Sequence, residues 1–414
     1  MPSNSVGRAC GACFLCLLTV VSTASGETPR LPFKVELKTL HQELRTDSCW
    51  FHPRAVSIPE RGERGNPLVL VTLQKHLKVS DYYSGLYFMR SLDGGKTFDK
   101  PSLPPVLDWQ KESDQVDISV CDVTPGWHAP SGRAIAIGIK LRYSKKGEHL
   151  LDRPRSHECA YAVYDPVRNQ WSSWKMLQMP QTEDKFFLVA PGCVQWLVKE
   201  DGTLLIPMYF RNPVREQYTT TVLHCRFDGE KLEYLEHGSE LALADARGLY
   251  EPSLVKYQGR YYLTIRNDLR GYVATSDDGL HFGEIQPWKF DDGKELGSYN
   301  TQQHWLAHSD GLFLAYTRRG ANNDHIPRNR APLFLAQVDP ERLQVLRDTE
   351  QVLIPERGAM LGNFGAAPIS PAESWVTDAE FYIGSAPHAK GADNSVFAAR
   401  VLWSRPNRLF PAAP

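Results

Sequence analysis

One phrase recurs along this 414-residue chain and limits its fold more than any other feature. An apolar strand meets a polar Gly turn, a second strand follows, and an outer strand closes on an aromatic residue. The phrase returns roughly every 50–60 residues. Asp201-Gly202-Thr203-Leu204-Leu205-Ile206 and Gln258-Gly259-Arg260-Tyr261-Tyr262-Leu263 are two copies of its strand-turn-strand step. Tyr164-Asp165-Pro166 leading to Trp171, and Val338-Asp339-Pro340, read as tight turns into outer strands. Short runs rich in β-branched and aromatic residues, such as Arg133 to Leu141, Thr219 to Phe227 and Leu333 to Val338, alternate with Gly, Pro, Asn and Asp. No long amphipathic helix interrupts them. Such a pattern predicts an all-β fold, and the repeat selects a propeller among the all-β folds. Blades fall near 50–105, 118–178, 188–240, 248–290, 300–354 and 370–404, which predicts a six-bladed β-propeller. Five blades is the alternative, because the last segment is short and could borrow a strand from residues 32–40. The phrases occupy Ser48 to about Arg405, so residues 27–414 are expected to form one domain.

Arg8, the apolar stretch Cys13 to Val21 and the small residues Ala24-Ser25-Gly26 stand in the order of a cleavable secretory signal. That reading assigns residues 1–26 to a leader, predicts a secreted or periplasmic protein, and is too short for a membrane span. Net charge is -1 with Lys and Arg scattered, which argues against a nucleic-acid or anionic-membrane partner. Beyond the leader remain Cys49, Cys121, Cys159, Cys193 and Cys225, widely spaced and without a C-x-x-C pair. No metal site is expected from that spacing, and no nucleotide loop or other cofactor motif is present. One or two disulfides, or small buried hydrophobes within strands, are the two readings of these thiols.

Two segments are sharper. Ser91-Leu92-Asp93-Gly94-Gly95-Lys96-Thr97-Phe98 fits Ser-x-Asp-x-Gly-x-Thr-aromatic, and Ser276-Asp277-Asp278-Gly279-Leu280-His281-Phe282 is a degraded copy. In such an Asp box the carboxylate closes a turn by accepting backbone N–H bonds, and Gly supplies a positive φ. Asp93 and Asp278 are therefore structural. With these boxes the chain resembles the sialidase (BNR-repeat) superfamily over nearly all of residues 27–414. The resemblance implies a carbohydrate ligand at the propeller axis, a glycan or polysaccharide substrate, and three arginines that hold a sugar carboxylate. Trp50-Phe51-His52-Pro53-Arg54 precedes the first box, so Arg54 matches the first arginine and Asp81 lies in the window of the acid. Tyr250-Glu251-Pro252, then Tyr262 to Arg266, then the second box, is the order in which sialidases present a buried Glu and their second arginine. Glu251 and Arg266 follow from this, and Arg330, opening a strand one blade later, is the third arginine. Converging arginines make chemical sense independently, since guanidinium forks bind a carboxylate bidentately.

The chain also departs from that family. Sialidases use a tyrosine nucleophile late in the propeller, and the corresponding stretch, Arg357 to Gly365, contains Phe364 and no tyrosine; Tyr382 is nearby without the context. A dense polar segment, His304, Tyr316 and His325 among others, offers a base and an acid of the kind uronate lyases use. His52, beside Arg54, is a second candidate proton donor. Three functions follow: an exo-acting glycoside hydrolase on a terminal acidic sugar, with Asp81 as acid and Glu251 as base; a polysaccharide lyase; or a non-catalytic sugar-binding propeller.

Overall fold

Short runs rich in Val, Ile, Leu and Tyr, several of them buried along their whole length, pair into six mainly antiparallel sheets in a computed structural model, which describes residues 1–2, 28–78, 81–151, 156–181 and 184–410. The leader expected at residues 1–26 falls, beyond its first two residues, outside the described residues. Each sheet is one blade. Blade 1 is built from Ser48–Ile58, Leu68–Leu77 and Tyr87–Ser91; blade 2 from Val116–His128, Arg133–Ser144 and Glu158–Asp165; blade 3 from Leu188–Ala190, Leu204–Arg211, Thr219–Phe227 and Leu232–His237. Blade 4 holds Tyr250–Tyr257, Arg260–Arg266 and Tyr272–Ser276, blade 5 holds His304–His308, Gly311–Tyr316 and Leu333–Asp339, and blade 6 holds Gly365–Ser370, Glu373–Ala379 and Ser395–Trp403. The last blade does borrow a strand: Phe33–Gln42 pairs antiparallel with Ser395–Trp403, from Phe33 opposite Trp403 to Gln42 opposite Ser395. That loan completes a sixth blade and removes the five-blade alternative.

Apolar layers between neighbouring blades form the core. Leu204, Ile206 and Leu223 of blade 3 pack against Ile135, Ile137 and Tyr161 of blade 2, and Trp375 of blade 6 packs with Val69, Val71 and Met89 of blade 1. The Asp boxes behave as their pattern predicts. Asp93 Oδ1 accepts from the Lys96 and Thr97 amides, both at 2.9 Å, and Oδ2 accepts from Thr97 Oγ1 at 2.7 Å. Asp278 Oδ1 accepts from the Leu280 and His281 amides at 2.8 Å. Gly95 takes φ 90° and lies flat on Trp375, where a Cβ would meet the indole at 2.4 Å, so only glycine fits there. Five cysteines, Cys49, Cys121, Cys159, Cys193 and Cys225, are free and buried, which decides for the packing reading over disulfides. Among the described residues no helix is long and apolar enough to cross a membrane.

Candidate active site

A repeated backbone irregularity builds the site. In blade 1 the strand pairing jumps from Phe51–Gln74 to Arg54–Thr72, so His52 and Pro53 together oppose Leu73. Blade 2 makes the same jump between Cys121 and Thr124, and blade 4 between Tyr250 and Ser253. These are β-bulges in three innermost strands, and each turns one extra residue toward the axis. The extra residues, His52, Asp122 and Glu251, have φ of 50°, 55° and 46°. Cys193 in blade 3 and Asn300 before blade 5 share the left-handed conformation, at φ 55° and 49°. Non-glycine residues seldom hold this conformation, and such strain gathers at functional sites. Four of the five, His52, Asp122, Cys193 and Glu251, line one cavity of about 660 Å³.

On one side of the cavity Glu251 is held by Arg266, whose Nη1 lies 2.6 Å from both carboxylate oxygens while Nη2 donates to Asn300 Oδ1 at 2.6 Å. Both side chains are nearly buried, 7% and 11% exposed. Arg266 also stacks on the Tyr250 ring at 4.6 Å, and Arg247 approaches the same ring at 4.7 Å. Tyr250 in turn donates to Asp268, which Arg247 grips bidentately at 2.7 and 2.8 Å. Burial lifts the Asp268 carboxyl, but hydrogen bonds from Arg247 and Tyr250 outweigh it and hold it at about 2. Arg330 stands beside this network: Nε donates to Thr301 Oγ1 at 2.9 Å and Nη2 to the Asn300 carbonyl at 2.6 Å, leaving Nη1 without a protein partner among the described residues. Burial, then the charges of Arg266 and Arg328, pull its guanidinium down to about 10.

Across the cavity His52 Nε2 lies 3.0 Å from Asp122 Oδ1. Burial raises the Asp122 carboxyl, yet His52 and Arg54 hold it at about 2. His76, His149 and His157 complete this wall, and burial lowers all three imidazoles, to about 4 for His76 and about 3 for His157. Phe51, Tyr83, Tyr209, Tyr218 and Phe381 supply flat apolar surface of the kind sugar rings stack on.

No protein-family model and no curated protein matches the chain. Solved structures do. A Dyadobacter fermentans protein of unknown function aligns over 89% of this chain and 99% of its own, at 14% identity and TM-score 0.60. Trypanosoma rangeli sialidase aligns over 91% of this chain and 60% of its own, at 12% identity and TM-score 0.57. The chain thus spans about 60% of that sialidase's length. The phage phi92 endosialidase aligns over 92% of this chain and 71% of its own, at 11% identity and TM-score 0.56. The fold is a sialidase-type propeller.

Within this sialidase-type frame the residues expected from the sequence separate into two groups. Glu251, Arg266, Arg330, His52 and Asp81 line the same cavity. Asp81, at φ 54°, is exposed at its edge, where the Tyr83 hydroxyl donates to its Oδ1 at 3.3 Å. The other group is placed elsewhere. Arg54 is 1% exposed and borders a second cavity farther along the axis, together with Thr124, Gln195 and Leu254. The bulge is the cause, since its extra residue sends His52 into the first cavity and Arg54 away from it. His304 lies in that second region, fully buried, with Nδ1 2.8 Å from Ser253 Oγ. Tyr316 is buried between blades and donates to Glu350 Oε2 at 2.6 Å. His325 is exposed, with Nε2 3.1 Å from Glu356. Phe364, where the tyrosine is missing, is fully buried and packs edge-on against His304. The three-arginine clamp therefore does not assemble as expected: Arg54 is absent from the cavity, and the fork of Arg266 is spent on Glu251 and Asn300. Sequence reading missed Asp122, Cys193, Asn300, Arg247 and Tyr209; the one signal that could have found the first two is their place in or just beyond the first strand of blades 2 and 3, matching His52 and Glu251 in the first strands of blades 1 and 4.

Proposed function

We propose that this cavity is the active site of a glycoside hydrolase that releases a terminal acidic sugar from a glycan. The observation that supports this most is Glu251, fixed by Arg266 beside the unspent nitrogen of Arg330, on the floor of a cavity walled with aromatic rings. Trypanosoma rangeli sialidase, of the same fold, has been solved in complex with sialic acid. In this reading Arg330 takes the sugar carboxylate, and an anion there restores charge balance around a buried guanidinium. Arg266 is a positioning residue that orients Glu251. With no tyrosine in the stretch from Arg357 to Gly365, Glu251 acts on water: it takes a proton as the water oxygen bonds to the anomeric carbon, and the glycosidic C–O bond breaks as Asp81 protonates the departing oxygen. The proton-transfer pair of the lyase reading, His304 or His325 with Tyr316, is dispersed over three separate environments.

The test is incubation of the purified protein with sialylated and uronate-capped glycans, following reducing ends and ultraviolet absorbance together. Release of a reducing sugar acid that disappears in Glu251→Gln supports the proposal. An absorbing unsaturated product would overturn it in favour of a lyase, and saturable binding with no product in favour of a sugar-binding propeller.

A further inference from the structure

In the same cavity as the Glu251–Arg266 pair, three side chains from three blades converge on one point. His52 Nε2 lies 3.0 Å from Asp122 Oδ1 and 3.9 Å from Cys193 Sγ, and the three donor atoms all lie within 4.8 Å of one another. Each residue holds a left-handed backbone, at φ 50°, 55° and 55°, so each is turned inward against its conformational preference. All three line the cavity.

A thiol, an imidazole and a carboxylate in contact invite a nucleophilic-triad reading, and the geometry rejects it. A triad threads its histidine: one ring nitrogen faces the nucleophile and the other the carboxylate. Here a single nitrogen, Nε2, faces both sulfur and oxygen, while Nδ1 is buried with no hydrogen-bond partner. Convergence of three donor atoms of different chemistry on one centre is an arrangement that can hold a metal ion. An ion about 2.0 Å from N and O and about 2.3 Å from S, with tetrahedral angles, sets its donors roughly 3.3–3.6 Å apart. The two observed spacings bracket that range. Arg54 supports the same reading from behind. It is 1% exposed, its Nε and Nη2 have no hydrogen-bond partner, and it lies near Cys193; burial holds that thiol well above its ordinary value, so only a bound cation would make the sulfur an anion for Arg54 to face.

We propose that His52, Asp122 and Cys193 form a binding site for one divalent transition-metal ion of the zinc class, with its remaining coordination position open to the cavity. Thiolate and imidazole donors select against calcium and magnesium. Together a thiolate and a carboxylate balance the charge of a divalent ion. Three protein ligands with one open position is the pattern of sites that bind water or a substrate oxygen rather than of closed structural sites. The site was invisible to spacing rules because its ligands stand 70 or more residues apart and meet only through propeller closure. It stands independently of the hydrolase reading, since metal binding is measured without any substrate.

The full chain is loaded with Co2+ or Zn2+, passed through a desalting column, and analysed for metal content and optical spectrum. The expected result is one equivalent of metal per chain, with a thiolate-to-cobalt charge-transfer band in the near ultraviolet. Cys193→Ser removes the band. Asp122→Asn and His52→Gln weaken retention by about 10-fold or more. Circular dichroism on each variant separates loss of the site from loss of the fold, and the wild-type stoichiometry and band stand even where a variant fails to fold. Wild-type protein that retains no metal, or a folded Cys193→Ser variant that keeps the band, would overturn the site.

Discussion

Arg266 Nη1 stands 2.6 Å from both oxygens of Glu251, a residue whose backbone is bent to φ 46° to meet it. The pair is nearly buried, so each charge depends on the other. Removing one partner of such a pair leaves the other uncompensated and costs about 3–5 kcal/mol. Arg266→Met is therefore expected to lower the unfolding free energy by that amount, and Glu251→Gln with Arg266→Met to recover much of it. Chemical denaturation of the two single variants and the double variant measures the coupling. Additive losses would show that the contact contributes little.

Arg330 carries a different expectation. Arg330 lines the cavity with its Nη1 unpartnered among the described residues, and a charged hydrogen bond contributes about 1.5–3 kcal/mol, or roughly 10–100-fold in affinity. Arg330→Met should raise KM for an acidic sugar by that factor with a smaller change in kcat. A substrate whose carboxylate is esterified should show no such dependence on Arg330. Equal loss with both substrates would place the carboxylate elsewhere.

Tyr316 and His325, which the sequence grouped with the site, lie away from it. Tyr316→Phe and His325→Ala should leave turnover within about twofold of wild type, as expected for substitutions that touch no transition-state contact. Tyr316→Phe should still destabilise slightly, since its hydroxyl donates to Glu350 at 2.6 Å. Turnover assays beside thermal unfolding separate the two effects.

Much of the fold was legible because propeller blades repeat a local phrase, and repeats announce themselves along a chain. The Asp boxes were legible for the same reason: every hydrogen bond Asp93 accepts comes from Ser91, Lys96 or Thr97, none more than four residues away. The site was only half legible. Strand alternation places residues 52 and 54 on one face, and the bulge at His52-Pro53 breaks that alternation, so Arg54 turns away while His52 turns in. Whether a strand carries a bulge depends on packing with its neighbours, such as Gly138, where a Cβ would strike the Cys121 carbonyl at 2.6 Å. The one local sign in the run Phe51 to Arg54 is Pro53, which lacks the N–H that a ladder needs and is tolerated in a strand at a bulge, as is Pro252 at the same place in blade 4.

The boxes yield a prediction of the opposite kind. Asp93 accepts four hydrogen bonds within its turn and does not line the cavity. Asp93→Ala should cost about 1–3 kcal/mol of stability and leave KM unchanged. Thermal unfolding and steady-state kinetics on one preparation decide it, and a changed KM would tie the turn to the site.

The last prediction concerns pH and comes from blade 6. Asp378 is fully buried, accepting from the Gly362 amide at 2.7 Å and the Ala379 amide at 2.8 Å, and burial raises its carboxyl from 3.8 to about 7. Glu380, also buried, is raised from 4.5 to about 7 by the same cause. In the folded protein both groups keep protons that the unfolded chain releases above its ordinary carboxyl range. Stability depends on the difference in bound protons, so a raised carboxyl favours the fold at low pH and loses that advantage as pH rises through the folded value. Wild-type stability should therefore fall between about pH 4 and pH 7 on account of these two groups. Asp122 and Asp268, both held at about 2, act in the other direction and lose their contribution only as pH falls toward 2. Asp378→Asn keeps the side-chain shape and removes the titration, so its unfolding midpoint should vary less than wild type across that upper window. Parallel curves for the two proteins would mean that Asp378 is ionised in the folded state, and that the amides of Gly362 and Ala379 outweigh its burial.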